Sequence, residues 1–268
     1  MRLTFLGTGS AMPTGERSQT GLLLEADDGD ADGGAEREAD DGDAGDGRED
    51  GAPRRLLVDC GSGVLNALAA TDVGYVGVDT VLLTHHHLDH VADLLPLLKA
   101  RWLAEKSSLT VLGPPGTPKL VGDLLDVHAY LQDRVDLTLR AVEPGAFSVA
   151  GFDVRAMETR HSMYCLAYRF GDALAFSGDT AAFADLAAFA DGVEAFVHDC
   201  SFPDGIETDN HPTPATLGEA FAGNEYGTVY LTHLYPHTDG AHDEMRASIA
   251  RSYDGAVRFA RDGLAVQV

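Results

Sequence analysis

Short apolar runs bounded by glycine or aspartate recur along the chain: RLTFLG at residues 2–7, GLLLE at 21–25, RLLVDCG at 55–61 and DTVLLTH at 79–85. Runs of this length, closed at both ends by turn residues, predict buried β-strands. From Asp89 to about Ala104 the apolar spacing becomes helical (DHVADLLPLLKARWLA), with Pro96 placed to kink the helix. Strand LTVLGP is followed by a Gly/Pro turn and a second predicted helix over about 117–131. Further strands are predicted at VDLTLRAV, FDVRAME, CLAYRF, ALAFSG, EAFVHD and GTVYLTH, helices at about 181–190, 213–222 and 243–252, and closing strands at AVRFA and LAVQV. The pattern is that of an α/β chain. Its polar clusters fall just after strands, where ligand sites tend to sit.

One stretch breaks this pattern. From Ala26 to about Pro53 the chain is almost entirely Asp, Gly, Ala and Glu, with no large apolar residue. Such a segment has nothing to bury and is predicted to be disordered. Lying between GLLLE and RLLVDCG, it reads as a hairpin loop expanded by a solvated acidic insert. With that insert set aside, residues 1–268 are expected to form one domain.

Composition adds three constraints. A 268-residue chain that is 44% hydrophobic can bury a sizeable core. Cys60, Cys165 and Cys200 are few and far apart, which supports neither a disulfide framework nor a cysteine-based zinc site, and a reducing cytoplasm is the expected compartment. No apolar run reaches membrane-spanning length, and the N-terminus reads as a strand and turn instead of a signal peptide. The net charge is −24, with only Lys99, Lys106 and Lys119 as lysines. Such a surface repels nucleic acid and anionic membranes at ordinary salt. We read it as halophilic adaptation, because the Debye length falls to roughly 3 Å at 1 M salt.

The candidate chemistry is concentrated in THHHLDH, Thr84 to His90, where a predicted strand passes into a predicted helix. In extended chain alternate side chains face the same way, so His85 and His87 can share one metal while His86 points away. Asp89 and His90 fall at the turn into the helix and can face a second metal. Imidazole and carboxylate at this density suit Zn²⁺, with Mn²⁺ or Fe as substitutes.

The HxHxDH pattern resembles the signature of the metallo-β-lactamase superfamily. That resemblance implies a four-layer αββα sandwich with two Zn²⁺. It also implies further ligands at later strand ends: His161 after FDVRAMETR, Asp179 in SGDT and His233 in LTHLYP. His85, His87 and His161 would hold one ion, Asp89, His90 and His233 the other, and Asp179 would bridge them. Asp59 matches a position the family uses to support ligands, and equally suits a turn. His128, His237 and His242 have no motif role and are expected at the surface.

Within the superfamily, LTFLGTGSAMPTGERSQTGLLLE, SGDT and LTHLYP resemble ribonuclease Z and its relatives. VHDCSFPD and NHPTPATLGEAF then occupy the place of a paired acidic and histidine motif, implying that Asp199 orients His211 as a general acid, with Asp89 also in the catalytic set. Taken alone, His211 reads as a helix-start residue before Pro212, with Thr213 as cap. Two departures stand out. Asp199 is one methylene shorter than the usual Glu. Only 17 residues separate His161 from Asp179, leaving no room for the family's tRNA-binding arm. The resemblance implies a metal-dependent phosphodiesterase acting on RNA 3′ ends or a small or cyclic phosphodiester, and a homodimer, since related ribonucleases dimerise. A carboxylic-ester, thioester or lactone hydrolase and a non-enzymatic metal-binding scaffold are the competing classes.

Overall fold

The computed structural model describes residues 1–27 and 53–268, so the predicted acidic insert lies almost wholly outside the described residues. The first sheet is built from β1 (Arg2–Gly7), β2 (Gly21–Ala26), β3 (Arg54–Val58), β4 (Thr80–Leu82), β5 (Ser108–Gly113) and β6 (Asp136–Ala141). The second contains β7 (Gly145–Val149), β8 (Phe152–Glu158), β9 (Leu166–Phe170), β10 (Leu174–Phe176), β11 (Ala195–Asp199), β12 (Thr228–Thr232) and β13 (Val257–Phe259). The chain then returns to the first sheet as β14 (Ala265–Gln267), beside β1. Strand orders are β14-β1-β2-β3-β4-β5-β6 and β13-β12-β11-β10-β9-β8-β7.

Helices α1 (Val64–Ala69), α2 (Leu88–Val91), α3 (Leu94–Leu103) and α4 (Thr117–Val127) come from the first half of the chain. The second half supplies α5 (Ala184–Phe189), α6 (Pro214–Phe221) and α7 (His242–Ile249). Alternation along each strand divides its side chains between two cores. Leu22, Leu24, Leu56, Val58 and Leu82 meet Leu174, Phe176 and Val197 between the sheets. Their neighbours Leu23, Leu57 and Val81 pack outward against Val64, Leu94 and Val121 of the helices. On the second sheet Ala175, Phe196 and Val229 pack against Leu186, Leu217 and Met245. Three cores separate four layers, helix–sheet–sheet–helix. Where both faces of a sheet are covered, as along β1, β2, β4, β10 and β11, the strands read as continuous apolar runs. Tyr168, fully buried between the sheets, donates its hydroxyl to the Leu83 carbonyl at 2.7 Å and joins the two halves beside the HxHxDH loop.

Strands β3, β4, β5 and β6 run parallel, as do β10, β11, β12 and β13, so the carboxyl ends of each set share one edge. The edges meet there: Leu166 N–H donates to the Thr84 carbonyl, and Leu234 N–H to that of Thr8, both at 3.0 Å.

Most predicted strands are present, with three differences in detail. The helix expected over Asp89 to Ala104 is two pieces, broken at Ala92–Asp93. Asp93 leaves the helical ladder, donating its N–H to the Cys60 carbonyl, while its carboxylate accepts N–H groups of Gly63 and Leu65. Pro96 falls in the first turn of α3, where its missing N–H has no intrahelical partner to lose. The second predicted helix ends at Val127 and tightens into 3₁₀ turns over Ala129–Arg134. Strand β7, mostly exposed, and helix α1, only six residues long, are additional to the predicted elements.

Candidate metal centre

Beyond β4 the chain bends at Thr84 and reaches α2 through His87, which is extended with φ of −63° and ψ of 149°. The alternation expected there brings His85 Nε2 to 3.0 Å from His87 Nδ1, and His161, from the loop after β8, adds its Nε2 at 3.1 Å. Asp89 and His90 lie in the short α2. His233 Nε2, just past β12, is 3.1 Å from Asp89 Oδ2. Asp179, just past β10, stands between these groups: its Oδ2 is 3.6 Å from His85, 3.9 Å from His161 and 3.3 Å from His233, and its Oδ1 is 3.3 Å from His90. All seven predicted ligands therefore converge, as two sets of four that share Asp179.

This donor set fits divalent metal ions on three grounds. Tetrahedral coordination with bonds of about 2.1 Å places neighbouring ligand atoms about 3.4 Å apart, close to the separations seen. The outer hydrogen bonds also leave bare nitrogens facing inward. Asp59 Oδ2 accepts the Thr84 hydroxyl proton at 2.8 Å and the His90 Nδ1 proton at 2.7 Å; Thr84 Oγ1 in turn accepts from His85 Nδ1 at 3.1 Å. His161 Nδ1 donates to the Asn210 carbonyl at 3.2 Å, and His233 Nδ1 to Ser201 Oγ at 2.9 Å. Each of these rings is left with its Nε2 lone pair toward the centre, the role outer partners serve at metal sites. Finally, His90 Nε2 is buried with no hydrogen-bond partner, a group otherwise costly to maintain.

The electrostatics divide the ligands: against the effect of burial, Asp179 and Asp59 raise the His90 pKa well above the ordinary imidazole value, and Asp179, Asp89 and Asp199 raise that of His233, so an ion binding there would displace protons. Burial would raise the Asp179 carboxyl, but the His233, His90 and His85 rings hold it well below the usual range, so it stays ionised. Burial, reinforced by His90, keeps His85 well below the ordinary imidazole value and hence neutral. The turn after β3 holds the ligand loop in place: Asp59 sits at φ 61°, Cys60 N–H donates to the His90 carbonyl at 2.8 Å, and a Cβ on Gly61 would lie 2.0 Å from the Asp89 carbonyl oxygen.

Asp199 and His211 form a second arrangement. His211 Nδ1 donates to Asp199 Oδ2 at 2.7 Å, despite the shorter acidic side chain. Asp199 also accepts the Ser201 hydroxyl proton at 2.6 Å and the Thr180 N–H at 3.2 Å. The His211 ring stacks over His233, with centroids 5.4 Å apart, so the pair adjoins the ligand cluster. Thr213 does cap α6, as its sequence context predicts. Burial alone would lower the His211 pKa, but Asp199, with Asp179 and Asp89 behind it, raises it above the ordinary value.

Thr84 and Ser201 carry no motif signal in the sequence, yet Thr84 Oγ1 orients the His85 ring and Ser201 Oγ that of His233. Only their positions, one before His85 and two after Asp199, hinted at this, since hydroxyls carry no ligand spacing of their own. Asp59 is both a turn residue and a partner of His90. His86 points away, toward Thr117 Oγ1 at 2.8 Å. His128 and His237 are exposed. His242 is half-buried, its ring stacked on Phe259 at 3.9 Å and its Nε2 covered.

Residues 54–234 match the family model described as "Beta-lactamase superfamily domain". The chain belongs to that superfamily, and is a metal-dependent hydrolase. It is 30% identical to Ribonuclease Z of Mycobacterium avium (strain 104), an alignment covering 100% of this chain and 98% of that one, which places it on the ribonuclease Z-like branch. Its fold is similar to that of the metallo-β-lactamase fold protein YhfI from Bacillus subtilis (TM-score 0.77, 22% identity, 100% and 99% of the two chains). It is also similar to that of human tRNase Z, short form (TM-score 0.72, 18% identity, 100% and 99%).

Proposed function

We propose that this chain is a two-zinc phosphodiesterase, able to accept Mn²⁺ or Fe in place of zinc, acting on an RNA 3′ end or on a small or cyclic phosphodiester. The observation that carries the reading is the Asp179 carboxylate standing between two histidine–carboxylate sets, with the Asp199–His211 pair alongside. His85, His87 and His161 would hold one ion, Asp89, His90 and His233 the other, and Asp179 both. When bound, such a pair supplies an acidified water and Lewis-acid stabilisation of charge on the phosphoryl oxygens.

The chain's own residues account for the rest. Asp199 fixes His211 by its Nδ1, so Nε2, on the opposite side of the ring, is the atom free to protonate the departing ester oxygen. Against the effect of burial, Asp199 raises the His211 pKa, which favours the protonated ring. Two features support a short substrate over a long polyanion. The interval from His161 to Asp179 is taken up by a brief loop, β9 and β10, and the net charge is −24.

The test is incubation of the purified protein, in molar KCl with Zn²⁺ or Mn²⁺, with a precursor tRNA carrying a 3′ trailer and separately with bis(p-nitrophenyl) phosphate. Asp179→Ala serves as the control. Trailer cleavage lost in the control identifies an RNA 3′-end endonuclease. Hydrolysis of the small diester alone identifies a small-molecule phosphodiesterase, and inactivity on both refutes the reading.

A further inference from the structure

The loops after β11 and β12 lie side by side, with Tyr235 N–H directed to the Ser201 carbonyl at 3.4 Å. They bring together two aromatic residues that the metal centre does not use. The rings of Phe202 and Tyr235 stack with centroids 4.6 Å apart at 28°. Both lie close to the proposed general acid: Phe202 is 6.0 Å and Tyr235 6.1 Å from the His211 ring. Tyr235 is also 5.7 Å from His233. Both residues are half-buried, and the exposed His237 stands edge-on to Phe202 at 5.5 Å, so the wall reaches the surface.

The Tyr235 hydroxyl makes no hydrogen bond among the described residues. A phenol hydroxyl is an ordinary hydrogen-bond donor, and the nearby carboxylates of the site are those of Asp89, Asp179 and Asp199. The ion-pair partners of those three carboxylates among the described residues are all histidines. Beside the proposed general acid the protein therefore presents two stacked rings and a hydroxyl that no described residue engages. That surface suits a planar heteroaromatic ring.

Position assigns the ring to one side of the phosphorus. A group that protonates the departing oxygen stands on the leaving-group side, and the wall flanks that group. We propose that Phe202 and Tyr235 form the subsite for the leaving nucleoside: the substrate carries a nucleobase on the side of the phosphorus whose ester oxygen departs, and that base packs on this wall. The inference rests on the phosphodiesterase reading and names its substrate class. In the hydrolysis, water oxygen forms the new P–O bond and releases a proton to solvent. The P–O bond to the nucleoside breaks with its electron pair on oxygen, and His211 supplies the proton that makes the alcohol, regaining one from solvent.

The experiment measures kcat/KM of the full-length zinc-loaded protein for a dinucleoside monophosphate and for two analogues, one lacking the base on the leaving nucleoside and one lacking the other base. Stacking energetics predict a loss of about 10-fold or more for the first analogue, with little change for the second. In Phe202→Leu and Phe202→Ala the intact and leaving-side abasic substrates should fall within about threefold of each other, whereas Tyr235→Phe, which keeps the ring, should retain the preference. Because the readout is a ratio within one protein, any variant that turns over at all reports on it, and the wild-type ratio decides the matter if a variant does not fold. Equal wild-type rates with and without the leaving-side base overturn the subsite while leaving the phosphodiesterase reading intact, as does an unchanged preference in Phe202→Ala. Failure to hydrolyse any phosphodiester, bis(p-nitrophenyl) phosphate included, overturns both.

Discussion

Asp59→Asn changes one charge and almost no volume at a residue that touches no proposed metal. Asn also tolerates the left-handed backbone at φ 61°, so backbone strain does not enter. Asp59 Oδ1 accepts the Thr84 N–H, and Oδ2 accepts both the Thr84 hydroxyl and His90 Nδ1–H. An amide oxygen must take the Oδ1 place, because the backbone N–H opposite it cannot turn. The NH₂ group then faces Thr84 Oγ1 and His90 Nδ1 and can accept from neither. The Thr84 hydroxyl adapts by rotating. His90 adapts only by moving its proton to Nε2, the atom directed at the metal centre. The alternative, leaving a buried donor unpaired, costs about 1–3 kcal/mol. The metal-free fold should therefore survive while affinity at the Asp89–His90–Asp179–His233 set falls about 10–100-fold, or about 1.4–2.7 kcal/mol. A competition titration with a chromophoric chelator measures this, and a thermal melt of the metal-free protein checks the fold. Zinc affinity within about threefold of wild type, in a protein with an unaltered melt, would refute the idea that Asp59 sets the His90 tautomer.

Three other outcomes follow from the same geometry. His211→Ala should lower kcat by about 10²–10⁴ for a substrate with an alkoxide leaving group but much less for a p-nitrophenyl ester, whose leaving group needs no proton; equal losses on both would remove the general-acid role. Gly61→Ala places a Cβ 2.0 Å from the Asp89 carbonyl oxygen, so denaturant titration should show a destabilisation of about 1–3 kcal/mol, with metal content reduced in the same sample. With a net charge of −24, the thermal midpoint should rise as KCl increases from 0.1 to 2 M, because screening shortens the Debye length from about 10 Å at 0.1 M to about 3 Å at 1 M; a flat response would contradict the halophilic reading.

Which parts of the molecule could be read from its sequence follows from the range of the forces involved. GLLLE and RLLV are legible as strands because both faces of their sheet are covered along Leu22–Leu24 and Leu56–Val58, so consecutive positions are apolar and the run stands out locally. The GAFSV run of β7 is mostly exposed and carries no such signal. The break at Ala92–Asp93 comes from hydrogen bonds to Cys60, Gly63 and Leu65, all about 30 residues away in the chain, and no helical periodicity reports it.

The same division runs through the site. HxHxDH declares itself because residues two apart on extended chain face one way, a property of the backbone alone. His161, Asp179 and His233 became candidates only through family resemblance, since a single histidine or aspartate after a strand has no local meaning. By itself, then, the sequence determined the alternation of elements, the strand-end position of the polar clusters and the paired histidines of one loop, all consequences of short-range geometry. Tertiary structure alone decided that one carboxylate, Asp179, lies between both ligand sets, that Asp59, Thr84 and Ser201 orient the rings, and that Phe202 meets Tyr235 beside His211. Those relations depend on the parallel strands of two packed sheets ending at a common edge, and hydrogen-bond direction and ring stacking act only across distances that the packing creates.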